Sequence, residues 1–88
     1  MNKDRRKAIA AIALKIADLE ALRDEIKEAL EEVRDEEQEY FDNMPEGLQG
    51  SDRGYQAEEA ISQLEDAISG LEDLDADSIT SSLEEAQN

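Results

Sequence analysis

The residues of this chain able to do chemistry are almost all carboxylates. Asp73, Asp75, Asp77 and Glu84, with Ser81 between, fall at positions one, three, five, twelve and nine of a calcium-loop spacing. Ser78 stands where such a loop needs glycine for its sharp turn, and Thr80 stands where it carries an apolar residue. We read the segment as a solvated acidic face and expect no metal. With no histidine and no cysteine, the commonest general base, thiolate metal sites and disulfides are all excluded. Paired acids such as Glu58–Glu59, Glu65–Asp66 and Glu72–Asp73 serve acid–base catalysis only where a sheltered pocket shifts their pKa values. Gly47, Gly50 and Gly54 precede no lysine, so there is no phosphate-cradling loop. The chain reads as a non-enzyme without a cofactor.

The elements that position these acids are helices. In 88 residues, hydrophobic and charged residues each make up 39% and aromatics only 3%, which leaves little material for a deep core. Long helices that bury one stripe each suit that balance. From Asp4 to about Asp42 there is neither proline nor glycine, and good helix formers dominate. Ile9, Ile12, Ile16, Leu19, Ile26, Leu30, Val33 and Tyr40 recur on a heptad, with Arg23 and Glu37 at its two polar positions. That period predicts a packing seam for another helix.

Residues 8–22 carry a second apolar set. Ala8, Ala10, Ala11, Ala13, Leu14, Ala17, Ala21 and Leu22 lie outside the seam, so this half of the arm is apolar nearly all round. We expect Ile9, Ile12, Leu14, Ile16, Leu19 and Leu22 to serve self-association, giving a homo-oligomer. The basic opening followed by an apolar run looks superficially like a signal peptide. Lys15 interrupts the run, and Asp18 and Glu20 close it, so we take it as the start of the first helix. The expectation is a soluble cytoplasmic protein that does not enter a membrane.

Between residues 43 and 51 the helical period stops. Tyr40, Phe41, Met44, Leu48 and Tyr55 surround a segment holding the only proline, and we expect them to pack as a plug closing the bend. The alternative is that Tyr40, Phe41 and Met44 form an exposed partner contact. Pro45 fits the first turn of a short helix, Gly47 and Gly50 are candidates for positive φ, and Ser51 is a candidate N-cap. The second arm carries Ala57, Ile61, Leu64, Ile68 and Leu71, then more loosely Leu74, Ile79, Leu83 and Ala86. One helix over 52–86 is the first expectation, because it matches the length of the first arm. A break at 75–78, where Asp75, Asp77 and Ser78 are good capping residues, is the alternative. In an antiparallel arrangement Glu84 and Glu85 would approach Lys3–Lys7, and Gly70 would mark a close contact. The fold class is therefore all-α: a coiled-coil-like antiparallel two-helix hairpin, forming a single domain over 1–88.

The run Asp35–Gln49, with Tyr40-Phe41-Asp42-Asn43-Met44-Pro45 at its centre, is followed by Ala57–Ile61 and Leu64–Ile68. Over roughly residues 30–74 it resembles a group of small acidic helical proteins found mainly in bacteriophage and prophage genomes. The resemblance implies a viral or mobile-element origin and a bacterial host cytoplasm. It implies no chemistry and no functional residues.

Charge carries the functional expectation. The net charge is −16, and residues 54–88 hold ten acids and no base. Such a surface repels nucleic acid and attracts basic proteins, above all those that bind nucleic acid. Duplex DNA carries one charge per ~1.7 Å, about 32 over a ~55 Å rod, so a net charge of −16 gives half that density. We expect an inhibitor of a host defence or other DNA-binding protein that acts by nucleic-acid mimicry, with Glu58, Glu59, Glu65, Asp66, Glu72 and Asp73 as the contact face. The alternative is an oligomeric structural or assembly protein of a phage. A third reading is a helical oligomer that sequesters a small ligand; Arg5, Arg6 and Lys7 would hold that ligand if it is anionic.

Overall fold

The computed structural model describes residues 1–87 and is all-α, with no strand among the described residues. Among the described residues four helices follow one another: α1 (Lys3–Asp42), α2 (Glu46–Gln49), α3 (Asp52–Glu72) and α4 (Ala76–Ala86). They cluster into two compact units that share α1. One unit comprises Met1–Glu25 with Leu74–Asn88, the other Ile26–Asp73. Among the described residues no helix is long and apolar enough to cross a membrane.

α1 begins with four basic residues in its first five positions, which oppose the helix dipole. Asn2 compensates in part, since its Oδ1 accepts the Arg5 N–H at 2.8 Å and satisfies one of the free donors of the first turn. Among the described residues, no ion pair joins Glu84 or Glu85 to Lys3–Lys7.

The covered face of α1 differs from the expected seam. Ile9, Ile16, Arg23, Leu30 and Glu37 are partly covered as expected, but the alternate positions are Ala13, Glu20, Lys27, Arg34 and Phe41. The expected residues Ile12, Leu19, Ile26, Val33 and Tyr40, spaced seven apart, remain 45–50% exposed. Both registers have the same 3–4 spacing, so period alone does not separate them. Long polar side chains decide it, with Arg23 and Lys27 reaching across to the second half of the chain.

In the Ile26–Asp73 unit, α3 supplies the core: Gly54, Ala57, Ile61 and Ile68 are buried, and Leu64 and Leu71 are partly covered. That is the expected seam of the second arm, extended by Gly54. The corner between α2 and α3 depends on this glycine, because a Cβ there would collide with the Gln49 carbonyl. Gly47 and Gly50 carry no such demand: neither has positive φ, and neither has a neighbour within 4 Å of a Cβ. Gly70 is exposed and equally free of contact, so it marks no close approach. Pro45 occupies the N-cap position of α2 and Ser51 that of α3, where the Ser51 hydroxyl donates to the Leu48 carbonyl. Gln49 Nε2 donates to the Phe41 carbonyl at 3.0 Å, satisfying an acceptor at the end of α1.

The five residues of the expected plug border more than one groove. Tyr40, Met44 and Leu48 line a groove with Pro45 and Arg53. Phe41 lines a different groove with Ile61, and Tyr55, 61% exposed, lines a third with Asp52 and Glu59. Neighbouring residues such as Tyr40 and Phe41 lie 100° apart on a helix, so they border different grooves.

The second arm is not one helix. α3 ends at Glu72 and α4 starts at Ala76, with Asp75 as N-cap accepting the Ser78 N–H at 2.9 Å. Within the other unit, Arg23 donates to the Leu74 carbonyl at 2.8 Å, satisfying an acceptor that a continuous helix would have used internally. Ala76 is buried there; Thr80, Leu83 and Gln87 are partly covered, while Ile79 is 42% exposed.

Candidate protein-interaction surface

The acids of α3 sit where they do because apolar residues claim the other face. With Ala57, Leu64 and Leu71 covered, the following positions, Glu58, Glu65 and Glu72, flank the seam at seven-residue spacing. Glu59, Asp66 and Asp73 lie one position further round and point away from α1. All six are exposed. Over 58–73, a helical rise of 1.5 Å per residue gives about 23 Å, or one carboxylate per roughly 4 Å. Each strand of duplex DNA presents one phosphate per about 3.4 Å.

Two grooves identify the sides of the α1–α3 pair. Gln38 of α1 shares a groove with Glu58, Ser62 and Glu65, so the acidic side of α3 continues onto the Gln38 side of α1. Glu31, one heptad before Gln38, lies on that side too. Lys27 confirms the register, pairing with Glu31 at 3.9 Å and with Glu72 at 3.3 Å. These pairs are half-exposed and contribute no more than about 1 kcal/mol each. On the other side Tyr40 shares its groove with Arg53. Ala60 and Ala67 follow Arg53 at seven-residue intervals, so α3 brings no acid to the Tyr40 side of the pair.

The structure thus brings Glu58, Glu65 and Glu72 together as a ridge and places Glu59, Asp66 and Asp73 on the adjacent outward face. It adds Glu31, which the sequence reading missed because the α1 seam had been set one position away. By period alone Arg23 is a polar interruption of a heptad. Its part in the break between α3 and α4 had one signal in the sequence, a lone arginine at a seam position of a strongly acidic chain.

Of the residues expected to self-associate, Ile9 and Ile16 are partly covered within the chain. Ile12, Leu14, Leu19 and Leu22 are 46, 72, 45 and 53% exposed. Asp75 of the calcium-like spacing is engaged as a helix cap. Among the described residues no three acidic side chains gather in a metal-binding group.

Scanned against protein-family models, curated proteins and solved structures, the chain finds no match.

Proposed function

We propose that this chain is a non-enzymatic binding protein whose acidic ridge on α3 occupies a basic, nucleic-acid-binding surface of another protein. The observation that carries this reading is the ordered array Glu58, Glu59, Glu65, Asp66, Glu72 and Asp73, exposed on a rigid helix at a linear density near that of a nucleic-acid strand. A basic channel selected for phosphates meets fixed carboxylates there, with no entropy cost for ordering a loop. In this reading the chain acts in a bacterial host cytoplasm, the expectation raised by the resemblance of its bend to small phage proteins, and a host defence or other DNA-binding enzyme is the natural target. The arms pair as an antiparallel, coiled-coil-like hairpin in this reading, supported by Lys27–Glu72 and by the groove shared by Gln38 and Glu58. The test is capture of bacterial DNA-binding proteins on the immobilised chain, with and without excess duplex DNA. Retention that DNA and high salt both release supports mimicry; retention indifferent to DNA overturns it.

A second reading has its own observation. The exposure of Ile12, Leu14, Leu19 and Leu22 favours an oligomeric assembly protein that docks through the first part of α1. It predicts association that Ile12→Asp abolishes and that high salt leaves intact.

A further inference from the structure

We infer that the Ile26–Asp73 unit pairs with a second copy of this chain through the side of α1 and α3 opposite the acidic ridge. The inference does not depend on what the ridge binds. On that side α1 presents Ile26, Val33 and Tyr40, each about half-exposed and spaced seven residues apart. α3 presents Ala60 and Ala67 at the same spacing. Seven residues of helix rise about 10.5 Å, so the large column and the small column share one pitch.

Three features select a second copy over another partner. The first is charge. The flanking positions on this side are Ala29, Gln56, Gln63 and Gly70; its acids are Glu36 and, partly covered at the seam edge, Glu37, and Arg53 offsets one of the two. In a chain of net charge −16, two copies approach without strong repulsion only through a neutral face, and a basic partner is drawn to the other side.

The second is self-complementarity, which an interface between two identical surfaces requires. Lys27 lies level with Glu72, so stepping up α1 and down α3 sets Val33 level with Ala67 and Tyr40 level with Ala60. A two-fold axis parallel to the helices lays α1 on α3 of the second copy at unchanged height. Val33 then meets Ala67 of the second copy, and Tyr40 meets its Ala60, large against small in both halves.

The third is area. α3 is 21 residues long, about 31 Å, and two neighbouring helices span about 20 Å, a flat footprint of roughly 600 Å². A stable interface covers about 800 Å² per partner, the same order.

Sedimentation of the full chain tests the pairing, with disulfide trapping to locate it. The expected mass is twice 9.8 kDa, with association strengthened as salt screens the remaining charge. Val33→Lys is expected to give a monomer that keeps its helical circular dichroism, whereas Ser62→Lys on the ridge side leaves the dimer intact. The chain has no cysteine, so a mixture of Val33→Cys and Ala67→Cys proteins is expected to cross-link as a heterodimer. Mixing Val33→Cys with Ser62→Cys is expected to give no heterodimer. A wild-type monomer at high concentration overturns the inference. So does a dimer in which only the Ser62→Cys mixture cross-links, because that outcome places the interface on the ridge side.

Discussion

The guanidinium of Arg23 donates a 2.8 Å hydrogen bond to the carbonyl of Leu74, 51 residues further along the chain. The same side chain is held from behind by Asp24 at 3.0 Å and Glu20 at 3.6 Å. It is only 18% exposed, in contrast to most charged groups of this chain. The break between α3 and α4 leaves the Leu74 carbonyl, in the linker, without the intrahelical partner a continuous helix would give it, and a charged donor satisfies it here. Arg23→Ala should therefore destabilise the fold by about 1–3 kcal/mol. Urea unfolding followed by circular dichroism measures this, and a change under about 0.5 kcal/mol would show the bond to be incidental.

The other half of the break is Asp75. Its carboxylate accepts the Ser78 N–H, so Asp75→Ala should cost about 1 kcal/mol, while Asp75→Asn retains most of the cap. Hydrogen exchange along α4 reads the effect locally: protection is expected to fall in α4 and to hold in α3.

Two glycines should respond in opposite directions to the same substitution. Gly54→Ala places a methyl group against the Gln49 carbonyl and forces the α2–α3 corner open, at about 1–3 kcal/mol. Gly70→Ala meets nothing within 4 Å and replaces a poor helix former inside α3, so it should stabilise by up to about 1 kcal/mol. A thermal melt of each variant decides, and equal signs would contradict the packing described for this corner.

How much of this was legible in the sequence depends on which residue is asked about. The all-helical class, the limits of α1 and the α3 seam at Ala57, Ile61 and Ile68 followed from period and from the absence of breakers. The α1 seam did not, because Ile9-Ile12-Ile16 and Ile9-Ala13-Ile16 are equally regular. The choice between them rests on where Lys27 and Arg23 find partners and where Phe41 packs. Apolarity points to Ile12, Ile26 and Val33, and in a single chain that stripe is left half-exposed. The break before α4 was visible as Asp75 and Ser78, yet matching arm lengths argued for continuity. Its stabilising partner, Arg23, lies too far along the chain for any local signal. Glycine type marks the bend without saying which glycine is needed; that answer came from the approach of Gln49 to Gly54.

Core truncation separates the covered seam from the exposed stripe. Ile61→Ala and Ile68→Ala, at positions 8% and 5% exposed, should each cost about 2–4 kcal/mol. Leu14→Ala, at 72% exposure, should stay within about 0.5 kcal/mol. Chemical denaturation at one fixed protein concentration makes the comparison, since self-association would otherwise add to apparent stability.

The most direct test of the proposed function compares two triple variants of equal net charge. Glu58→Gln/Glu65→Gln/Glu72→Gln neutralises the ridge. Glu25→Gln/Glu32→Gln/Glu39→Gln removes as much charge from exposed positions of α1. Each is assayed for retention of the proteins that duplex DNA elutes from the wild-type chain. If the ridge is the contact, its neutralisation weakens retention about tenfold or more, roughly 1.4 kcal/mol, and the α1 variant binds nearly as wild type. If both variants lose binding equally, net charge and not the ordered ridge is responsible, and the account of α3 as a nucleic-acid mimic is contradicted.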